Sequence, residues 1–446
     1  MKKALWGFLA VLGSLVYGDP FATDNLFGEM ESVVVEMPIS ETSLTEDTAG
    51  VSFSPSGSLT SQLFHGVNRD YFKAKNWQDI SQRHQSVGEL LLDVRTGDDS
   101  KAFAALEGVY RADNQLTSGY VRELFVDFHL KRRLYVRAGK QVLQWGRGHF
   151  WHPSDLINVE QKDLIERAGA REGTNGLRLH APFGAKTNFY AFFDNRGGDS
   201  LQDLRSSFKA EFILGPVETA FSLWKKSALH PAYAWDASTR LGNWDFTAEA
   251  VFLPKNFVKN WEIAPQKQGL DSLYAKASAT GAPRVAISAG RSFRFLEVPD
   301  RLRLQYEFYY NSLGNHGKDY KSAQIYAYSS PTSINMGTNQ DVVLNQGTIS
   351  MWLASQGQIQ AYSLGKYYAA GFLSIDKFLL SDMTLALNGV VNLSDQSYVF
   401  TGSLSYRTMH NLSLQAAILA FGGKPQGEFT ISGQKIQSQL SAGISF

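Results

Sequence analysis

Strict alternation of apolar and polar side chains over long segments is the feature that most constrains how this chain can fold. The segments 123–130, 244–252 and 301–310 all show this two-residue period, as does "KIQSQLSAGISF" at the C-terminus. One face of that last segment is apolar and carries Ile436, Leu440, Ala442, Ile444 and Phe446. A period of two is that of a β-strand whose two faces meet different surroundings, and helical periodicity is weak throughout. An all-β, antiparallel fold is therefore predicted.

The length of these segments favours a membrane barrel over a soluble sheet, which can also alternate. The strands predicted from such segments run for about 10–13 residues, close to the roughly 9–11 that cross a bilayer at a tilt and longer than the 5–6 of an average strand. Aromatic residues cluster near segment ends, as interfacial girdles do. The examples are Trp145, Trp224, Trp244, Tyr309, Tyr310 and Tyr398. Only a closed barrel satisfies every backbone hydrogen bond of strands in lipid.

The N-terminus predicts export. Residues 1–18 combine Lys2 and Lys3, an apolar core and a Val16-Tyr17-Gly18 cleavage site, which is the organisation of a secretory signal peptide. No later stretch approaches the roughly 18 consecutive apolar residues of a membrane-spanning helix. The chain contains no cysteine, which excludes disulfides, thiolate metal sites and cysteine nucleophiles. With a signal peptide and no spanning helix, the bacterial cell outer membrane is the expected location.

Charge is distributed unevenly. Without Lys2 and Lys3, 41 basic and 42 acidic residues remain, and this near balance argues against a nucleic-acid partner. Residues 19–50 contain no Lys or Arg, and their acids are Asp19, Asp24, Glu29, Glu31, Glu36, Glu41, Glu46 and Asp47. This acidic periplasmic segment could be a tail, a plug, or an extra strand formed by 32–37. The predicted barrel, 51–446, has a net charge of +7.

Short and long connections separate the predicted strands. The tight joins are 96–101, 130–134, 182–186, 214–218, 240–244, 298–301 and 407–411. The long ones are 146–173, 195–204, 253–272, 312–360 and 423–433. Short periplasmic turns and long extracellular loops are typical of outer-membrane barrels. We expect about 18 strands, within a range of 16–20, and the count is ambiguous in 253–300.

Charged and polar residues that share the inward phase are expected to line a water-filled lumen and to set its solute preference. The candidate pore-lining residues are Glu89, Asp93, Arg95, Glu123, Asp127, Arg137, Gln141, Arg178, Lys209, Glu211, Asp245, Glu249, Arg303, Glu307 and Arg407. Both signs of charge occur in this set. The alternative for each charged residue is a paired charge that only stiffens the wall.

The loop 147–172 contains the most distinctive side chains outside the strands. His149, His152 and Asp155 have a metal-like spacing, but no second ligand cluster supports a site and His-Pro breaks a helix there. Ser154 lacks a surrounding G-x-S-x-G elbow. No metal, no cofactor and no enzyme activity are therefore expected. Residues 154–169 predict a short helix, and the loop is expected to fold inward and narrow the lumen rather than cap the surface. Its constriction residues would be His149, His152, Asp155 and Glu160.

The segment "LYVRAGKQVLQWG", 134–146, places a polar centre in a strand. Arg137 and Gln141 fit a wet lumen, whereas Lys140 falls on the apolar side. We expect either a β-bulge permitted by Gly139 or a lysine that snorkels to the interface.

Two sequence features resemble known outer-membrane proteins. A terminal Phe446 on an alternating strand resembles the C-terminal signature that the Gram-negative outer-membrane assembly machinery recognises. R-x-G-K-Q-x-x-x-W-G followed by "HPSDLIN" resembles the signature of a broad group of porin-like outer-membrane barrels, largely uncharacterised. The matching residues are Arg137, Gly139, Lys140, Gln141, Trp145, Gly146, Pro153, Asp155 and Asn158. The resemblance implies fold and compartment but hardly any solute identity.

The expected function is a porin-like channel for passive diffusion of small polar solutes, either as a monomer or as a homo-trimer. Its partners would be the lipid bilayer, the assembly machinery and those solutes. A surface-exposed structural or adhesive barrel with a blocked lumen is the alternative.

Overall fold

The computed structural model describes most of the chain from residue 50 onward. The described ranges are 50–68, 80–97, 99–112, 116–143, 145–157, 173–194, 204–226, 229–255, 257, 259–265, 271–277, 280–315, 325–327, 364–407, 411–425, 427–430 and 433–446. Residues 1–49, including the predicted signal peptide and most of the acidic segment, lie outside them, as does Glu160. Within these ranges, no helix combines the length and the hydropathy that crossing a bilayer would require.

Eighteen strands form one sheet. They are β1 (Val51–Asn68), β2 (Ile80–Thr96), β3 (Lys101–Arg111), β4 (Leu116–Leu130), β5 (Leu134–Gln141), β6 (Thr174–Phe183), β7 (Thr187–Asp194), β8 (Arg205–Leu214), β9 (Val217–Lys226), β10 (Ala232–Leu241), β11 (Trp244–Leu253), β14 (Ala282–Phe295), β15 (Val298–Asn311), β17 (Tyr367–Asp376), β18 (Met383–Asn392), β19 (Ser397–Arg407), β20 (Leu412–Gly422) and β21 (Gln434–Ser445). Three further strands, β12 (Lys259–Pro265), β13 (Asp271–Ala277) and β16 (Ile325–Ala327), form a small separate sheet.

The large sheet closes on itself. Each strand pairs antiparallel with its neighbour, and β1 pairs with both β2 and β21. Closure extends to the terminal residue, because Gly57 and Phe446 exchange backbone hydrogen bonds of 2.8 and 2.9 Å. The prediction of an all-β transmembrane-type barrel of about 18 strands is confirmed.

Every connection of ten or more residues lies at the same end of the barrel. At one end, here the short-turn end, the connections are 97–100, 131–133, 184–186, 215–216, 242–243, 296–297, 377–382 and 408–411. At the other, the long-loop end, they are 69–79, 112–115, 142–173, 195–204, 227–231, 254–281, 312–366, 393–396 and 423–433. Gly50 and Phe446 both lie at the short-turn end.

The structure resolves the ambiguous region 253–300. Of the described strands that lie wholly within this region, β14 enters the barrel, whereas β12 and β13 form a hairpin that pairs with β16 from the next long connection. The tight turn predicted at 298–301 is wrong by two residues, because it lies at Leu296 and Glu297. Both have positive φ, of 48° and 64°, as a two-residue hairpin turn requires.

The outward face of the barrel is apolar. Leu59, Leu124, Ile287, Leu440 and Ile444 each expose more than half of their surface. They alternate with inward-facing polar residues along their strands, so the outer surface suits a hydrocarbon solvent.

The expected bulge at Gly139 is wrong. Ladders on both sides of β5 run past this residue without a register shift. The bulge lies instead between β3 and β4. Ala105 pairs with Glu123 and Leu106 pairs with Val121, so Arg122 is the extra residue of β4. Gly139 has a φ of 127°, and a Cβ there would overlap the carbonyl oxygen of Leu124. Lys140 therefore keeps the lipid-facing phase near the long-loop end.

Gly139→Val is expected to impair barrel assembly, because a branched side chain would need both a disfavoured φ and space occupied by Leu124. The folded fraction, read from heat-modifiable migration on a gel, should fall several-fold. Gly108→Val is the matched control, since a Cβ at Gly108 meets nothing within 4 Å. Equal folded fractions for the two variants would contradict this account.

Candidate functional site: the lumen constriction

Residues 145–157, here the infolded segment, run inside the barrel. After β5 ends, the Glu123 carboxylate accepts the Val142 N–H at 2.9 Å, which directs the chain inward. Lys209 Nζ on β8 then donates to the Trp145 carbonyl at 2.8 Å, and Trp145 Nε1 donates to Ser222 on β9 at 3.2 Å. The expected infolding of this loop is observed for these residues.

Two buried carboxylates hold the backbone of the infolded segment. Glu307 on β15 accepts the N–H groups of His149, Phe150 and Trp151 at 3.1, 2.9 and 2.7 Å. Glu249 on β11 accepts the N–H of Gly148 and, from Ser154, both the N–H at 3.2 Å and the hydroxyl at 2.7 Å. Irregular backbone away from water needs such partners, because an unpaired buried N–H is costly.

Arg147 connects the segment to three acids of the wall. Its guanidinium contacts Asp236 at 2.7 Å, Glu218 at 2.5 Å and Glu211 at 3.4 Å. Burial opposes the charge of Arg147, but these carboxylates outweigh it and raise its pKa. Lys209 lies beside the same group, 3.1 Å from Glu211. Arg147 therefore stays protonated and fixes the segment against β8, β9 and β10.

Aromatic contacts hold the other side of the segment. The rings of Trp151 and Tyr309 are stacked, with centroids 5.3 Å apart and planes at 13°, and Tyr368 lies 5.6 Å from Trp151. His149 and Phe150 contact Phe372 at centroid distances of 4.8 and 5.8 Å. This apolar wall, on the inner face of β15 to β20, continues through other buried side chains. They are Val390, Val399, Leu419 and Phe421.

Three aromatic residues expected in an interfacial girdle lie inside the barrel instead. Trp145, Trp224 and Tyr309 are 3%, 5% and 0% exposed. Trp145 packs on Trp224 at 6.0 Å, and Tyr309 supports Trp151. A position near a strand end is compatible with an aromatic side chain on the lipid side or on the lumen side. Here the infolded segment provides an inner surface against which Trp224 and Tyr309 pack.

Of the four expected constriction residues, the three that the structure describes do not converge on a common point. His149 lies against Phe372, His152 Nδ1 is 3.8 Å from Glu249, and the Asp155 carboxylate accepts the Ile157 N–H at 3.2 Å. Burial, with a smaller effect of His152, lowers the pKa of His149 to about 3, so its ring is neutral. Among the described residues, no three potential ligands form a metal site.

The inner face of β2 to β7 is a charged wall. Asp127 and Arg137 form a two-point ion pair with both distances 2.7 Å, and the Arg137 guanidinium lies 4.0 Å over the Phe125 ring. Arg178 lies 5.5 Å over the ring of Tyr190. Further along the wall, four predicted residues take part in contacts of their own. Glu89 pairs with Arg122, Asp93 pairs with Arg95 and Lys101, and Gln141 donates to the Gly176 carbonyl.

The remaining predicted pore-lining residues lie away from the constriction, toward the short-turn end. Asp245 pairs with Arg240 at 2.5 Å, and Arg303 lies 3.5 Å from Asp376. Arg407 ends β19 on the inward phase and is exposed.

Three functional candidates were missed from the sequence: Arg122, Arg147 and Asp236. Asp236 could have been found, because it alternates with the exposed Tyr233 and Trp235. Arg122 shares its inward face with its neighbour Glu123 only because of the bulge. Nothing in a loop sequence indicates that Arg147 reaches β8 to β10.

Solved structures share this fold. Pseudomonas aeruginosa OccK2 (OpdF), solved in complex with glucuronate, is 9% identical; the match covers 90% of this chain and 99% of that one, with a TM-score of 0.53. OpdL of the same organism is 9% identical over 88% and 98%, with a TM-score of 0.51. Its outer membrane protein opdK is 8% identical over 88% and 99%, with a TM-score of 0.50. No protein-family model matches the chain, and no curated protein matches it in sequence.

Glu307→Gln is expected to loosen the infolded segment, because an amide nitrogen cannot accept the N–H groups that a carboxylate oxygen accepts. Losing one buried backbone partner costs about 1–3 kcal/mol. Tryptic cleavage after Arg147 should therefore accelerate by about tenfold, since 1.4 kcal/mol corresponds to a factor of ten in population. Mass spectrometry of timed digests in detergent measures the rate.

Glu297→Gln is the control for this variant, because Glu297 lies in an exposed turn at the other end of the barrel. Unchanged cleavage in Glu307→Gln would show that Glu307 does not hold the segment.

Proposed function

We propose that this protein is a porin-like channel of the outer membrane, through which small polar solutes diffuse passively. The observation that carries the proposal is the infolded segment, fixed inside a closed barrel by Glu249, Glu307 and Arg147. Such a segment narrows the lumen. The apolar wall packs against one side of the segment, and we place the polar route for solutes along the charged wall.

The polar route determines the class of solute. Its side chains carry both signs of charge and are mostly paired, so it accepts small polar molecules rather than apolar ones. Passage needs neither a reaction nor a cofactor. OccK2, which shares the fold, was solved with glucuronate, a small polar molecule of this kind.

The orientation follows from the connections. We place the short-turn end in the periplasm and the long-loop end outside the cell, because outer-membrane barrels have this asymmetry. The bilayer contacts the apolar outer face, and the chain acts as a monomer or a homo-trimer. We also assign it to the porin-like group that carries the R-x-G-K-Q-x-x-x-W-G signature.

The refolded protein is expected to give stepwise conductance in a planar bilayer. Replacing 147–172 by a short Gly-Ser linker should raise the single-channel conductance about twofold or more, because the constriction is removed. Arg147→Met should raise it less and should change the ion selectivity, since one fixed charge of the infolded segment is lost.

Absence of stepwise conductance from both the intact and the trimmed protein would overturn the channel proposal. It would favour the alternative of a structural or adhesive barrel with a blocked lumen.

The terminal phenylalanine fits a role in assembly. Its backbone closes the barrel at Gly57, and its ring, which is 70% exposed, lies over that glycine on the outer face. We propose that the assembly machinery reads this side chain.

Phe446→Ser is expected to lower the amount of heat-modifiable barrel in outer membranes several-fold, while Phe446→Tyr keeps it near the normal level. Both variants retain the backbone hydrogen bonds to Gly57, so a difference between them reports on the side chain. Equal amounts would argue against recognition of the ring.

A further inference from the structure

We propose that one uncharged surface of the lumen is a binding site for neutral polyhydroxylated solutes, such as sugar alcohols. This surface lies on the inner face of β18 to β21 and β1 and ends at Gln85 of β2. It is here called the amide face, after its Asn and Gln side chains. The inference rests on the proposed channel function and names one class of solute that the channel carries.

Charge is nearly absent from the strands that form this surface. β18, β19, β20, β21 and β1 contain no Asp or Glu, and their only Lys or Arg residues are Lys435 and Arg407. Lys435 lies at the long-loop end of β21, and Arg407 ends β19 at the short-turn end. Between these ends an ion meets no counter-charge on the five strands, whereas a neutral solute needs none.

Hydrogen-bonding side chains form a continuous row across the amide face. Each member is directly paired with the next one on the neighbouring strand, in the order Ser405, Gln415, Ser441, Gln62 and Gln85. Gln415 Nε2 donates to Ser405 Oγ at 3.1 Å, and Gln85 Nε2 donates to Gln62 Oε1 at 3.4 Å. The row ends on β2, which is part of the charged wall, so a solute on the polar route reaches it.

Three buried side chains of the amide face have polar atoms without a partner. Asn388, Thr401 and Gln439 are 0%, 3% and 1% exposed. Both amide atoms of Asn388 and of Gln439, and the hydroxyl of Thr401, have no hydrogen-bond partner among the described residues. Leaving buried polar groups unpaired costs stability, and apolar side chains would avoid that cost. These groups therefore indicate a partner from outside the chain.

The amide face begins at the constriction. Asn388 pairs on one side with Thr401 and on the other with Phe372, whose ring the infolded segment contacts. Toward the long-loop end the next inward pair is apolar, Val390 with Val399. A solute that has passed the infolded segment on this side therefore leaves an apolar surface and meets a hydrogen-bonding one.

The chemistry of side-chain amides determines which solutes this surface binds. An amide presents a donor and an acceptor side by side. Neighbouring hydroxyls of a polyol also donate and accept, so a diol can form two hydrogen bonds with one amide. An ether oxygen only accepts. The amide face therefore selects among neutral solutes of one size by their hydroxyl content.

The first test titrates sorbitol, a neutral hexitol, against the potassium chloride current of the refolded protein in a planar bilayer. Sorbitol is expected to block the current saturably, whereas tetraethylene glycol, a neutral ether of similar size, lowers it only in proportion to its concentration. Asn388→Leu combined with Gln439→Met should raise the half-blocking concentration of sorbitol about tenfold, because the hydrogen bonds of two side chains are lost. Leu440→Met, next to Gln439 but on the lipid side, is the matched control and should leave that concentration unchanged.

Equal blocking by sorbitol and tetraethylene glycol would overturn the binding site. An unchanged half-blocking concentration in the double variant would overturn it as well. In both cases the barrel still conducts, so the channel proposal stands.

The second test does not depend on conductance. Saturation-transfer difference NMR measures binding of sorbitol to the refolded barrel in detergent, at equal amounts of heat-modifiable protein. The signal of the double variant should be about fivefold weaker than that of the unaltered protein. The double variant is expected to fold, because the two amides that it replaces have no partner among the described residues.

No transfer to sorbitol from the unaltered protein would refute the site. Transfer from a barrel that does not conduct, lost in the double variant, would support the site and refute the channel.

Discussion

The structure of the lumen depends on carboxyl groups that accept the backbone hydrogen bonds which water would otherwise accept. Neighbouring strands satisfy each other's backbone hydrogen bonds around the closed barrel, but the infolded segment has no neighbouring strand to pair with. Glu307 accepts three consecutive N–H groups, and Glu249 accepts two more together with a hydroxyl. Each carboxyl group has two oxygens that can accept several N–H donors, so two side chains can fix a whole turn of irregular backbone. Close approach requires a missing side chain, and a Cβ at Gly146 would overlap the Glu249 carboxylate.

The same contacts make the lumen asymmetric. Trp151 and Phe150 pack against Tyr309, Tyr368 and Phe372, which excludes water from that side. On the opposite side Arg147, near the start of the segment, lies within a group of acids. The segment is thus held between an apolar and an ionic surface. In the proposed channel the route for solutes lies along the charged wall, so its selectivity depends on charges of the barrel wall more than on the histidines of the loop.

Fold class and approximate strand number could be predicted because they follow from a two-residue period and from the spacing of tight and long connections. The inward phase of residues such as Asp127 and Glu307 followed from the same period. Contacts between side chains that are distant in sequence could not be predicted. Alternation indicates which face of the strand a side chain occupies, but not which residues it contacts on that face. Arg147 is the clearest example, because its partners lie 64 to 89 residues away. The bulge that directs Arg122 inward is likewise a property of two strands together.

Aromatic residues show why phase and chemistry must be considered together. Trp145 and Trp224 occur near strand ends, as lipid-interface residues do, yet both are buried inside against each other. A tryptophan at a strand end gains from any boundary between apolar and polar surroundings, and a barrel with an infolded segment has such a boundary inside as well as outside. The strand phase decides between the inner and the outer boundary, because Trp224 shares one face of β9 with the buried Ser222 and Ala220. An aromatic residue in phase with the lumen charges therefore indicates a surface that an infolded loop covers, and this signal was present in the sequence.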